Sequence, residues 1–318
     1  MITAFPKVDI GTQIAAIERM LEQNAAGFKT IDYIYVVKDI DCLVGVASIK
    51  EIHTAKKDVV IDEVMQTKLV YVHPSTDQER MVYLALSNGI KAIPVLDRQK
   101  RLLGIVPYDV ILQIFNEEVR EDTFKFGGIF HRVGKEYSTI EASVYTMVRL
   151  RIPWLIIGVI GGTVTASIIS GFEHVLSTLL ALAAFAPVLA YMSDAVGTQS
   201  ETLAVRSIAI DPQLSLKRYI LRELSVAAAL ALVCGGLLSA VALVGWQDPI
   251  LGLIVGLSMF LSILCAVLIS TGFPFIFKKI NLDPAIASGP FATMISDVVT
   301  VTIYFTVATL LLLNFGRI

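Results

Sequence analysis

Arg149-Leu150-Arg151-Ile152-Pro153-Trp154-Leu155-Ile156-Ile157-Gly158-Val159-Ile160 is the stretch at which the chain changes its chemistry. Of the 54 charged residues, 39 lie in residues 1–151 and 15 in residues 152–318, about 26% and about 9% of each part. The first share is that of an ordinary soluble domain; the second is far below it. The whole-chain figures, 17% charged and 55% hydrophobic over 318 residues, therefore average two different materials. A mean hydropathy of +0.71 excludes a disordered chain and an ordinary cytosolic enzyme. A net charge of -2 offers no bulk attraction to nucleic acid. Cys42, Cys234 and Cys265 lie far apart and form neither a metal motif nor a disulfide framework. No signal peptide is expected, because the first long apolar run begins only after Arg151.

Downstream of that boundary, an apolar stretch of about 20 residues suffices to cross a hydrocarbon core. The expected spans are Pro153–Ser170, Leu176–Met192, Leu224–Leu243, Ile250–Phe275 and Ile286–Leu313. Arg206, Lys217, Arg218 and Arg222 follow the second span, and Lys278 and Lys279 follow the fourth, whereas loops 171–175 and 244–249 hold no Lys or Arg. The positive-inside rule then puts the N-terminus in the cytoplasm and the C-terminus outside, in a multi-pass protein of the plasma membrane. An odd number of spans excludes a simple internal two-fold repeat, so a symmetric pathway would come from a homodimer. The pairs Gly158/Gly162 and Gly252/Gly256 are expected at close helix contacts.

Upstream, the chain repeats itself. Tyr35-Val36-Val37 and Leu43-Val44-Gly45-Val46 recur 59 residues later as Pro94-Val95-Leu96 and Leu102-Leu103-Gly104-Ile105. Val8–Thr12 recurs 64 residues later as Val72–Thr76. Each unit reads as strand, helix, two strands around a polar turn, and helix. The first helix of the second unit is expected over Asp77–Ser87, with Met81, Leu84 and Leu86 apolar. Neither unit can bury a core alone, so the two should pack on each other. The arrangement resembles a tandem pair of CBS motifs over 1–118, with units of about 1–60 and 61–118. Such pairs bind adenine nucleotides or cations, or serve as dimerising scaffolds. The resemblance implies nucleotide contacts at Ser48 and Glu51 in the first unit, where Glu stands for the usual Asp. In the second unit Pro107 and Val110 occupy those positions and cannot hold a ribose.

An acidic connector, 119–151, is expected to run as a helix from Ser138 into the membrane. Glu118, Glu121, Asp122, Glu136 and Glu141 could sense divalent cations there, or form a solvated helix face. Within the fifth span stands Asp297, which costs about 2.5–3.5 kcal/mol to insert and is a functional candidate for that reason. Pro290, Thr293, Asp297, Thr300 and Tyr304 recur at spacings of three and four, which places them on one polar helical face. Pro290 also removes an amide N–H and exposes a carbonyl one turn earlier. Oxygen ligands with one carboxylate suit a hard cation that keeps its waters, as Mg²⁺ does. The alternative is a helix-end carboxylate, or one paired with Arg222 or a hydroxyl. A second polar segment, Asp194 through Glu201 with a flexible glycine at Gly197, reads either as a cytoplasmic mouth or as a solvated helix end with a turn. The histidines are scattered, and no Walker loop or zinc spacing is present, so no enzyme is expected.

Three longer motifs carry a second resemblance. Arg151-Ile152-Pro153-Trp154-Leu155, then Pro187 through Ser200 with Thr202–Arg206, and Asp283-Pro284-Ala285 with Ser288–Thr293 and Asp297 resemble the MgtE-type magnesium channels. That resemblance implies an α+β cytosolic CBS pair, built of two β-α-β-β-α repeats, ahead of an all-α transmembrane domain of five helices over 152–318. It implies a homodimeric channel for passive, gated entry of Mg²⁺, with the pore at the dimer interface. Asp297 would coordinate Mg²⁺, with Asp194 and Glu201 at the cytoplasmic mouth. Pro187, Gly197, Gln199, Ser288, Pro290, Thr293 and Thr300 would line the pore. Intracellular Mg²⁺ would close it. The family commonly carries a larger helical domain ahead of its CBS pair, so the sensing acids of such a domain are expected to be missing here. An ion-coupled divalent cation transporter and a non-transporting membrane sensor are the alternatives.

Overall fold

The computed structural model describes residues 1–129, 143–211, 214–280, 282–287 and 290–317. The chain divides into two compact units, Met1–Val119 and Arg120–Ile318.

The first unit holds β1 (Lys7–Asp9), α1 (Ile14–Asn24), β2 (Tyr33–Lys38), β3 (Cys42–Ser48) and α2 (Ile49–Thr54). These are followed by α3 (Gln78–Ser87), β4 (Ala92–Leu96), β5 (Leu102–Pro107) and α4 (Tyr108–Phe126), whose last turns belong to the second unit. The repeat is visible in the ladders. Val36 pairs with Gly45 and Val95 with Gly104, and the register shifts after each valine. Val8 runs parallel to Val36, and Val72 bridges Val95 in the same sense. Gly104 is required by a close approach: a Cβ there would stand 2.7 Å from the Ile2 carbonyl oxygen.

Both faces of β2 are buried, as in a sheet covered on two sides. Ile34 and Val36 face a core with Ile14, Ile17 and Ile52 from the first repeat. Tyr35 and Val37 face a second core shared with Ala92, Leu96 and Ile105 of the other repeat. The alternation of the strand is what joins the two repeats. On α3 the buried residues are Met81, Val82 and Ala85, whereas Leu86 is exposed. Asp77 caps this helix by accepting from Glu79 N at 2.9 Å.

The second unit is helical: α5 (Val144–Gly171), α6 (Glu173–Thr178), α7 (Ala181–Ile210), α8 (Leu216–Trp246), α9 (Pro249–Lys279) and α10 (Pro290–Asn314). All but α6 are long and apolar enough to cross a membrane. α9 is the core helix, packed against α7, α8 and α10, while α5 is covered almost nowhere along its apolar stretch. Asp248 caps α9, accepting from Ile250 N at 2.9 Å and from Arg317 Nη1 at 2.5 Å.

Four expectations change here. The second span does not end at Met192, because α7 runs unbroken to Ile210. Gly197 is therefore no turn. It lies inside the helix, and a Cβ there would stand 2.9 Å from Ser270 Oγ of α9. Gly252 and Gly256 do meet α8, at Ser239 and Gly235, but Gly158 and Gly162 have nothing nearby. Gly161 makes the contact instead, against Met294 of α10. Finally, Pro290 is the first residue of α10, where its missing N–H interrupts no helical bond.

Candidate ion pathway

α7 and α10 are pinned side by side by Tyr304, whose hydroxyl donates to the Leu182 carbonyl at 2.9 Å. Antiparallel progression along the two helices then brings Asp297 toward Asp194. The two carboxylates lie within reach of each other's field, and Asp194 rather than Arg222 is the charged neighbour that Asp297 feels. Both are half-buried. On α7, Pro187, Tyr191, Thr198, Thr202 and Arg206 form an exposed line at helical spacing, with Asp194 along it. Gln199 is exposed beside this line. Such a stripe offers polar groups where a lipid-facing helix would be apolar.

The polar face of α10 does not stay at the surface. Thr293 and Asp297 are half-buried, while Thr300 and Tyr304 sink into the protein at 2% and 0% exposure. Gly197 and Glu201 also point inward, Glu201 at 2% exposure. Beside it, Ser200 Oγ donates to Glu223 Oε2 at 3.3 Å. Ser288 and the side chain of Pro290 lie outside the described residues. Among the described residues, no three of His, Cys, Asp and Glu gather into a metal cluster. The chain thus carries two half-buried carboxylates on neighbouring helices, a donor set that suits an ion that keeps most of its water.

Of the connector acids, Glu136 and Glu141 lie outside the described residues. Glu118, Glu121 and Asp122 are on α4. Glu121 bonds Lys125 one turn on, at 2.6 Å, and Lys125 also pairs with Asp283 in the loop before α10. Asp283 in turn accepts from Ala285 N at 2.8 Å. Burial, then the neighbouring Asp283 carboxylate, hold the Asp122 carboxyl above its ordinary range. Counting acids alone overlooks Lys125; the Glu121–Lys125 spacing of four is the sequence signal that reveals it.

In the first unit, Ser48 and Glu51 border a cleft of about 440 Å³, together with Tyr33, Gln66, Lys68 and Asn88. Ser48 and Glu51 form a reciprocal cap on α2. Glu51 Oε2 accepts from Ser48 N at 2.7 Å and Ser48 Oγ at 2.9 Å, and Oε1 accepts from Gln66 Nε2 at 2.8 Å. Burial works against the Glu51 carboxylate, but these bonds outweigh it and hold the carboxyl below its ordinary value. The charge on this acid is already engaged in structure. Lys68, which no sequence motif marks, supplies the positive charge among the residues lining the cleft.

The family model for MgtE, a divalent cation transporter, matches residues 186–307, and a CBS domain model matches 61–117. The magnesium transporter MgtE of Thermus thermophilus is 36% identical over 98% of this chain and 69% of its own length. The chain belongs to the MgtE family. The MgtE match runs from the turn before Pro187 through most of α10, so it contains both Asp194 and Asp297. The magnesium transporter MgtE of Bacillus subtilis is 32% identical over 88% of this chain and 62% of its own length. The chain spans about two thirds of the length of these MgtE relatives. Among solved structures, the cytosolic domain of the Mg²⁺ channel MgtE in complex with ATP is 34% identical. It aligns with a TM-score of 0.34 over 35% of this chain and 44% of that one.

Proposed function

We propose that the chain forms a Mg²⁺ channel of the plasma membrane, in which hydrated Mg²⁺ enters passively through a gated pore at a homodimer interface. The observation that carries this reading is Asp297, a half-buried carboxylate on a membrane helix with Asp194 of α7 in its field, beside an exposed polar stripe. In an apolar medium such a pair requires a cation or a proton. A second copy related by two-fold symmetry would cover the stripe and bring four carboxylates around one axis. Pro187, Gln199 and Thr293 would contribute to the lining, the Gln199 amide and the Thr293 hydroxyl offering oxygens that hydrogen-bond the ion's waters. The names of the MgtE relatives support Mg²⁺ as the transported ion. An inside-negative potential contributes about 2.3 kcal/mol per unit charge per 100 mV, and roughly twice that for a divalent ion, so no coupling ion is needed.

Orientation follows the basic loops, with the N-terminus in the cytoplasm and the C-terminus outside. Intracellular Mg²⁺ closes the pore through acids of the cytosolic unit and connector. The cleft at Ser48 and Glu51, which Lys68 also lines, is the candidate adenine-nucleotide site, with a unit that only dimerises or senses ions as the alternative.

The test is Mg²⁺ uptake into liposomes that hold the purified protein, alongside Asp297→Ala. Uptake by the parent and its loss in a folded variant support the pathway. Equal uptake in both removes Asp297 from it. Uptake that follows a proton or sodium gradient replaces the channel with a coupled transporter. No uptake at low or high internal Mg²⁺ leaves a membrane sensor.

A further inference from the structure

α8 is packed on one side and open on the other. Ala227, Ala231, Gly235 and Ala242 are buried, with Gly235 against Gly256 of α9. The other side is exposed at Ser225, Ala229, Leu232, Val233 and Gly236. It is apolar except for Ser225, whose hydroxyl donates to the Leu221 carbonyl at 2.9 Å and so needs no water. Such a surface suits contact with lipid chains.

Arg218 and Arg222 stand on this open side. They are one turn apart and continue its line of threes and fours, and Lys217 is exposed beside them. Among the described residues, none of these three bases makes an ion pair. Glu223 is the one acid in residues 216–227, and it faces α7, where it accepts from Ser200 Oγ at 3.3 Å. The bases therefore end an apolar face without a local counter-charge. Bases anywhere in a loop suffice to orient a span. Two arginines one turn apart on the lipid side are a narrower feature, because a guanidinium offers a fork of donors that matches phosphate oxygens. A ligand that satisfies both the fork and the face carries a phosphate and an apolar tail. A zwitterionic headgroup brings its own cation, so net negative charge is favoured.

We propose that Arg218 and Arg222, with Lys217 beside them, hold the headgroup phosphate of an anionic phospholipid whose acyl chains lie along the open side of α8. The proposal goes beyond the channel reading and rests only on α8 spanning the membrane.

The experiment places a tryptophan at the site. The full chain, with Trp154 and Trp246 replaced by Phe and Leu221→Trp as reporter, is put into phosphatidylcholine bilayers with increasing brominated phosphatidylglycerol. Bromine quenches tryptophan on contact, so the curve gives the relative affinity of that position for the two lipids. The anionic lipid should be preferred about twentyfold, or about fivefold per arginine. Arg218→Gln with Arg222→Gln should abolish the preference. Arg218→Lys with Arg222→Lys should keep most of it, which separates charge from a disturbed helix. A Val244→Trp reporter, at the other end of α8, should show none. Equal quenching by both lipids at Leu221→Trp, a preference unchanged in the Gln pair, or the same preference at Val244→Trp overturns the proposal. Loss of the preference in millimolar inorganic phosphate overturns it as well and gives the bases to a soluble anion. Absence of Mg²⁺ uptake by the parent would sink the channel reading and leave this result standing.

Discussion

Glu51 in the first unit and Asp297 in the second are both partly exposed carboxylates, and their surroundings are opposite. Glu51 accepts three hydrogen bonds from Ser48 and Gln66 and stabilises the start of α2. Asp297 faces another acid, Asp194, in a unit whose helices are apolar enough to span a membrane. In the water-facing unit a carboxylate is a structural part whose charge is compensated locally. In the apolar unit the same group has a like charge in its field, and the proposed channel reading supplies a cation to compensate it. Function is to be sought where the fold leaves charge uncompensated, not where acids are most numerous.

This contrast makes predictions of graded size. The largest concerns Asp297→Asn, which should lower Mg²⁺ uptake by about two orders of magnitude, the loss of a charge-assisted contact worth ~3 kcal/mol. Unchanged circular dichroism would confirm folding; retained uptake would erase the contrast. Asp194→Asn should cost uptake about tenfold. It should also raise the melting temperature in EDTA, because it relieves the repulsion within the pair. A fall in melting temperature would mean that Asp194 is structural, like Glu51.

Glu51→Ala should do the reverse. It should destabilise the first unit by about 1 kcal/mol through loss of the cap, read by denaturant unfolding, and leave uptake at low internal Mg²⁺ within about twofold. A collapse of uptake there would show that the two kinds of carboxylate are not separate. The smallest effect is expected at Asp248. Its carboxyl is held below its ordinary range, although burial opposes this, by bonds from Arg317 and from the Leu251 and Ile250 amides. A depressed carboxyl pKa adds stability above the unfolded value near pH ~4 and loses it as pH falls through the folded value. Arg317→Ala should therefore lower stability at neutral pH by about a few tenths of a kcal/mol, read as a small fall in melting temperature, and not at all near pH ~2.

Much of the fold was legible in the sequence, because its signals are periodic. The offset of 59 residues predicted matching ladders, and Val36/Gly45 and Val95/Gly104 are matching pairs. Five apolar stretches became five long apolar helices. Misreadings fell where one residue has two uses. Gly197 in a polar run reads as a flexible point, yet its small size serves α7–α9 packing. Gly158 and Gly162 carried the contact spacing, but Gly161 is the one rotated toward Met294. Thr300 shares a helical face with Asp297, but that face turns inward as α10 approaches Leu182. Local spacing says which residues share a side of a helix; it does not say what lies opposite.

Composition and period alone gave the division into a charged and an apolar part, the repeat in the first, the five apolar helices of the second and the presence of Asp297 among apolar residues. These follow from composition and period, which each segment carries alone. Packing alone brings Asp297 into the field of Asp194, engages Glu51 with Ser48 and Gln66, and sets Lys125 between Glu121 and Asp283. Asp297 and Asp283 meet partners distant in the chain. Such contacts depend on helix rotation and register, which are settled by packing against neighbours rather than by any local preference.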